Sequence, residues 1–249
     1  MLVTATDGAA GLTTTSTHGD ETLASVRAAE LRQSARIMGV SELVRLGYAD
    51  SGLDGLGTPS TPGSGRSPSV PFAQVDVDAA ALRIASLLRA EAADVVVGYD
   101  PAGGYGHPDH IQVSRVTRRA AAIAGTAMLL EATMPREPKA RAVAIAYRFR
   151  KIIPQLAGLD PEQWRAAYTP RAEITYRVDV RSQLAAKRAA MAAHVSQAAA
   201  DDGTRTLRVL LRLPKWLFVK IMGTEWFVAV TQPAGERDPL GGILEPYAP

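Results

Sequence analysis

The chain of 249 residues is 47% hydrophobic and carries 28 Lys and Arg against 25 Asp and Glu, a formal net charge of +3. This composition is typical of a globular protein with a full core, and the basic residues are scattered along the chain, which argues against nucleic acid binding. No cysteine occurs, so disulfides, thiolate metal sites and a cysteine nucleophile are excluded, and any metal must be held by imidazole and carboxylate groups.

The N-terminal half of the sequence predicts strands that alternate with helices. Residues 2–6 are rich in β-branched side chains and end at an Asp-Gly pair, which is typical of a buried strand that runs into a loop. The predicted order is strand 2–6, loop 8–20, helix 21–38 ending at Gly39, strand 43–46, a mobile Gly/Ser/Pro-rich loop at 57–71, an Asp-capped helix 76–92 and strand 94–99.

The C-terminal half continues the same alternation. The predicted elements are helix 111–124, strands 127–131, 142–146 and 174–178, and helix 182–200. Strands that alternate with helices of this length indicate an α/β fold with a mainly parallel sheet. In such sheets ligands bind outside the carboxyl ends of the strands, and residues 100–110 follow one of these ends.

The segment GGYGHPDH at 103–110 contains two of the four histidines of the chain. Its glycines allow a tight turn, and the spacing of His107 and His110 lets both rings face one point. Asp109 could orient a ring nitrogen and raise its basicity. The segment therefore predicts a metal or acid–base centre, while the alternative is a Gly-rich loop with solvated histidines and an Asp-capped helix that begins near Pro108.

The number of ligands is the difficulty for a metal site. A catalytic zinc normally has three protein ligands and an open position, and the motif supplies one or two. His18 in the 8–20 loop, Asp7 in an Asp-Gly turn and His194 in an Ala-rich helix are each explained more simply without a metal. The residues by themselves complete no three-ligand site.

Several segments together resemble one family, the PIG-L (LmbE-like) zinc-dependent N-deacetylases. In chain order they are VTATDGAAG, RAAELRQSARIMGV, YADSG, VVVGYDP followed by AGGYGHPDH, and KRAAMAAHVSQ, over about residues 1–200. The resemblance implies a Rossmann-like three-layer α/β fold and a zinc-bound water that attacks the amide of an N-acetylglucosamine-type small molecule. It also implies that His110 is a zinc (Zn²⁺) ligand, that His107 polarises the carbonyl, that Asp109 sets the charge state of His107, and that Tyr105 is a mobile donor near the oxyanion.

Two departures from the family pattern affect these expectations. Family members open with a strand that ends in His-Pro-Asp-Asp-Glu, which this sequence lacks, so we expect the first central strand to be missing and to lie before Met1. We therefore expect this form to bind zinc weakly and to show little deacetylase activity, or to be a non-catalytic relative that binds a sugar or a partner. Ala49 stands where the family often has a sugar-binding arginine, so the exact substrate stays open.

The remaining expectations concern domains and surroundings. Residues 1–200 are predicted to form the deacetylase domain and 201–249 an extension that packs on it. Within this extension 207–230 is apolar with interspersed charge, which predicts core packing or a homo-oligomer contact, with a peripheral membrane contact as the alternative.

With no signal-peptide pattern and no run of about 18 uncharged apolar residues, the sequence predicts a cytoplasmic protein. A dinucleotide-binding oxidoreductase is disfavoured, because GAAG at 8–11 is not a GxGxxG motif.

Overall fold

The computed structural model describes residues 1–6, 8, 23–52, 70–152, 160–198, 206–232 and 239–248. The chain divides into two compact units, one formed by Met1–Gln74 and Asp179–Thr224 and the other by Val75–Val178 and Glu225–Pro249. Asp7, most of the predicted 8–20 loop with His18, nearly all of the 57–71 loop and the predicted domain boundary at residue 200 lie outside the described residues.

The described helices and strands follow one another as an α/β chain. The strands are β1 (Leu2–Thr6), β2 (Leu43–Tyr48), β3 (Val95–Tyr99), β4 (Met128–Thr133), β5 (Tyr176–Asp179), β6 (Thr224–Thr231) and β7 (Glu245–Pro246). The helices are α1 (Leu23–Ile37), α2 (Val77–Ala90), the single turn α3 (Gly103–Gly106), α4 (Pro108–Ala124), α5 (Arg136–Arg148), α6 (Pro161–Ala166), α7 (Leu184–Ala192), α8 (Val195–Ala198), α9 (Thr206–Arg212) and α10 (Lys215–Met222).

The first unit contains the parallel pair β1–β2, whose register starts at Leu2 opposite Leu43. Helix α1 connects the two strands and ends before Gly39, which adopts a φ of +72° as predicted for a helix-terminating glycine. Phe72 is completely buried and its ring lies 5.2 Å from that of Tyr48, the last residue of β2. The predicted strand 2–6 and the helix that follows it are therefore confirmed, while most of the loop between them lies outside the described residues.

The second unit contains a five-stranded sheet in the order β3-β4-β6-β5-β7. Strands β3 and β4 are parallel, with Val95 opposite Met128 and Tyr99 opposite Ala132, whereas β6 joins β4 antiparallel. The predicted α/β class is confirmed. The sheet of this unit is mixed, because two strands from the C-terminal segment, β6 and β7, pair antiparallel with β4 and β5. Part of the predicted 201–249 extension is thus a strand of this sheet.

Helix α4 packs on β3 and β4, and helix α2 packs on α4. Asp76 caps α2 by accepting a hydrogen bond from the Ala79 N–H at 2.8 Å, which confirms the predicted Asp cap. Helix α2 packs on α4, and both helices bury alanines at the contact, which lets their backbones come close. Within the sheet, Glu131 of β4 is buried and accepts two hydrogen bonds from Arg118 of α4 at 2.5 and 2.9 Å.

Two sequence predictions were wrong. Residues 142–146 form part of helix α5 rather than a strand, because the short apolar run lies among Ala, Arg, Lys and Glu, which favour helix, and Ile145 is exposed. The helix predicted for 182–200 is interrupted, since α7 ends at Ala192 and α8 begins at Val195. None of the described helices has the length and apolar character needed to cross a membrane.

Candidate active site

The turn after β3 is held by the buried carboxylate of Asp100. Its Oδ1 accepts a hydrogen bond from the Gly104 N–H at 2.9 Å, and its Oδ2 accepts one from the Thr133 hydroxyl at 2.5 Å. Thr133 Oγ1 also lies 2.9 Å from Oγ1 of Thr169. The side chain therefore uses both oxygens to connect the end of β3 with the end of β4 and with the segment after α6.

Glycine is required at the start of the motif. Gly103 has a φ of +63°, and a Cβ there would lie 2.7 Å from the backbone nitrogen of Ile111. Gly104 also has a positive φ, and its carbonyl accepts a hydrogen bond from the Tyr168 N–H at 2.7 Å. The close approach to α4 and the left-handed backbone both exclude a side chain at Gly103, so the tight turn predicted from the glycines is confirmed.

His107 is the N-cap of α4, which begins at Pro108. Its Nδ1 accepts a hydrogen bond from the Asp109 N–H at 3.2 Å, so in the neutral ring the proton is assigned to Nε2. The alternative expectation of an Asp-capped helix was right about where the helix begins and wrong about the cap, which is the imidazole. Asp109 lies instead in the first turn, where a negative charge is favoured by the helix dipole.

His110 lies one helical turn after His107 and is surrounded by aromatic rings. Its ring stacks on Tyr99 at 4.1 Å with an interplanar angle of 6°, and Tyr105 approaches at 5.4 Å and 75°. The His107 and His110 rings are 4.9 Å apart. The structure therefore brings Tyr105, His107 and His110 together, as the sequence predicted, and adds Tyr99 as the support for the His110 ring.

Asp109 is buried, and one of its carboxylate oxygens lies within 4.8 Å of a ring nitrogen of His107. Imidazole and carboxylate are groups that zinc accepts, so the donor chemistry of the motif fits a metal. His110 of the same motif offers a further imidazole, whose ring centre lies 4.9 Å from that of His107. His194, which the sequence also offered as a possible metal ligand, lies between α7 and α8 in the first unit.

Two tyrosines of this unit have raised pKa values. Burial raises the pKa of the Tyr99 phenol, and burial together with the negative charge of Asp100 raises the pKa of Tyr168 to about 12. Tyr168 also has a positive φ of 56°, which is uncommon for a residue with a side chain. Both phenols are neutral at physiological pH and can act as hydrogen-bond donors.

A second group of side chains lies behind the motif, on α5 and α6. Lys139 Nζ is 4.6 Å from the centre of the Tyr168 ring and 5.8 Å from that of Trp164, and burial lowers its pKa. Gln163 of α6 donates a hydrogen bond to the Tyr105 carbonyl at 3.0 Å. No local pattern points to these residues, because they lie about thirty to sixty positions after the motif.

Comparison with known proteins places the chain in a family. The family model described as PIG-L: GlcNAc-PI de-N-acetylase matches residues 1–121, which include the motif. A 1D-myo-inositol 2-acetamido-2-deoxy-alpha-D-glucopyranoside deacetylase of Thermobifida fusca is 32% identical over 242 residues, covering 91% of this chain and 78% of that protein. The chain belongs to the PIG-L family. The predicted resemblance is thereby confirmed.

Two further matches extend the comparison. The deacetylase of the same name from Rhodococcus jostii is 37% identical over 175 residues, which cover 67% of this chain, and the alignment spans 58% of the length of that relative. Among solved structures, N,N'-diacetylchitobiose deacetylase from Pyrococcus horikoshii is similar with a TM-score of 0.50 and 22% identity, over 92% of this chain and 72% of that one. This likeness supports the LmbE-like α/β fold.

Proposed function

We propose that this PIG-L chain takes part in hydrolysing the acetamide of an N-acetylglucosamine-type amino sugar with the help of a bound metal, and that zinc is the metal. The names of the relatives support the reaction class and the type of substrate. Within the structure, one observation carries the proposal. His107 has its Nδ1 engaged by the Asp109 N–H, so its Nε2–H is a donor beside the ring of His110.

His107 would stabilise negative charge on the substrate. When a nucleophile attacks an amide carbonyl, charge develops on the carbonyl oxygen, and a donor already oriented toward that oxygen lowers the barrier. The cap bond to Asp109 N restricts the ring of His107 and leaves Nε2–H as its donor. Tyr105 is partly exposed and lies 6.1 Å from His107 ring to ring, so its hydroxyl can assist as a second donor.

His110 would hold the metal. Stacking on Tyr99 limits rotation of the imidazole, which is the usual requirement for a ligand whose ring must point in one direction. A bound zinc would supply Lewis-acid activation of water and of the amide carbonyl. Because the sequence lacks the His-Pro-Asp-Asp-Glu segment that supplies further ligands in family members, we expect the 249-residue chain to bind zinc weakly and to turn over slowly. The amino-sugar specificity, the cytoplasmic location and any homo-oligomer stay predictions.

The test measures acetate release from 1D-myo-inositol 2-acetamido-2-deoxy-α-D-glucopyranoside at increasing zinc concentrations. We expect slow turnover that rises with zinc and falls by about 10²–10³ in His107→Ala, the usual loss when an oxyanion donor is removed. His110→Ala should instead shift the zinc dependence to higher concentrations. His194→Ala is the matched control, because it removes an imidazole that is not part of the 103–110 motif and should keep the rate of the unmodified chain.

Two outcomes would contradict the proposal. One is a His107→Ala chain that works as fast as the unmodified protein. The other is no acetate release at saturating zinc, while circular dichroism and thermal melting show that the chain is folded. Tight stoichiometric zinc in metal analysis would contradict the narrower expectation of weak binding and leave the reaction class intact.

A further inference from the structure

The segment formed by α9 and α10 has an unusual combination of apolar and basic side chains. Residues 206–222 contain Arg208, Arg212, Lys215 and Lys220 and no acidic residue. Several large apolar side chains of this segment are exposed, with 69% of Trp216, 50% of Val209 and 44% of Ile221 accessible. Large apolar side chains that are exposed as a group are typical of an interaction surface.

One side of the segment is attached to α7 in the same unit. Arg188 donates hydrogen bonds to the carbonyls of Leu211 and Leu213 at 2.5 and 3.3 Å, and Lys187 donates to the Met222 carbonyl at 3.2 Å. The Arg188 guanidinium also lies 5.0 Å from the Phe218 ring, which is almost completely buried. The backbone ends of both helices are therefore anchored on this side.

The opposite side of α10 presents Trp216 and Lys220. These two residues are four positions apart and share a face, and each is two positions, about 200° around the helix, from the buried Phe218. Helix α10 is thus amphipathic. Its buried Phe218 faces α7, and its exposed Trp216 and Lys220 lie on the opposite side.

We propose that the α9–α10 segment is a peripheral membrane contact that binds an anionic lipid surface. Trp and Lys are the residues that anchor proteins at the boundary between headgroups and acyl chains, and a basic segment without acids is complementary to anionic lipid. A second copy of this chain fits less well, since a two-fold contact would place the same basic surface against itself. This inference goes beyond the proposed reaction and does not depend on it.

The proposal is tested by sedimentation of the full 249-residue chain with vesicles of phosphatidylglycerol and phosphatidylcholine in equal parts. We expect binding at low salt, loss of binding as salt screens the charges, and little binding to pure phosphatidylcholine. Lys215→Ala with Lys220→Ala should weaken the partition coefficient about 30-fold, which corresponds to about 1 kcal/mol per basic residue at such a surface. Trp216→Ser should also weaken binding, without a change in deacetylase turnover.

The matched control is Leu82→Ser with Arg83→Ala, which removes one exposed apolar and one basic side chain from α2 and should bind vesicles normally. Circular dichroism shows whether each variant folds. A blue shift of tryptophan fluorescence on vesicle binding that disappears in Trp216→Phe would support the contact directly. Binding that is absent from anionic vesicles, or unchanged in both α10 variants, overturns the proposal. A dimer in analytical ultracentrifugation that dissociates in Trp216→Ser overturns it in favour of a second copy.

Discussion

Asp100 and Gly103 hold the candidate site in place through a few atoms. The carboxylate of Asp100 accepts hydrogen bonds from Gly104 N and Thr133 Oγ1, and both bonds are buried. Gly103 lets the chain pass within contact distance of Ile111 in α4. The orientation of His107 and His110 at the start of α4 therefore depends on residues that take no direct part in the proposed chemistry.

A comparison of two glycines tests this dependence. Gly103→Ala should destabilise the chain by about 2–4 kcal/mol, because the new methyl group adds a clash with Ile111 to the strain of a positive φ. Gly106→Ala is the control, since Gly106 has a φ of +95° with nothing within 4 Å of its Cβ position, and should cost about 1–2 kcal/mol. Urea denaturation measures both, and equal losses would show that the contact with Ile111 is unimportant.

At the level of elements, the short helix α8 is attached to α1 by a buried acid. Glu30 of α1 accepts hydrogen bonds from the backbone N–H and the hydroxyl of Ser196, at 2.7 and 2.8 Å. These bonds lie at the start of α8 and follow the interruption after α7. The residue types of 182–200 favour one continuous helix. The hydrogen bonds between Glu30 and Ser196, which are 166 positions apart, account for the break.

Removing the acid should be more harmful than removing the hydroxyl. Glu30→Ala removes the partner of two buried donors and should lower the free energy of unfolding by about 3 kcal/mol. Ser196→Ala removes one bond and keeps the backbone N–H bond, so about 1 kcal/mol is expected. Chemical denaturation of the two variants checks the order, and a Ser196→Ala loss as large as that of Glu30→Ala would contradict it.

At the level of the whole molecule, stability should depend on pH through His194. Burial lowers the pKa of this imidazole, the nearby Glu30 raises it by less, and Arg27 lowers it further. The unfolded chain then binds a proton near its ordinary pKa of 6.5, while the folded chain binds it only at lower pH. The contribution of neutral His194 to the free energy of unfolding is therefore complete above pH 6.5. It is lost as the pH falls from 6.5 toward the lower pKa of His194 in the folded state.

The measurement is thermal melting of the full chain between pH 7.5 and pH 5. The melting temperature of the unmodified protein should fall over this range, and His194→Gln should fall less, because it has no proton to take up on unfolding. Replacement at the surface position Arg83→Ala is the control and should leave the slope of melting temperature against pH unchanged. A slope that is the same in His194→Gln and in the unmodified chain would exclude His194 as the source.

The sequence by itself determined the α/β class, most element positions, the turn after β3 and the family, because these follow from local periodicity, from glycine and from a contiguous motif. It also brought Tyr105, His107, Asp109 and His110 together, since they are neighbours along the chain. Only the tertiary structure decided that α5 is a helix, that α8 is separate from α7, that β6 joins β4 antiparallel, and that Tyr99, Asp100 and Tyr168 support the motif. Those features depend on hydrogen bonds and burial between residues far apart in the sequence, which local patterns do not contain.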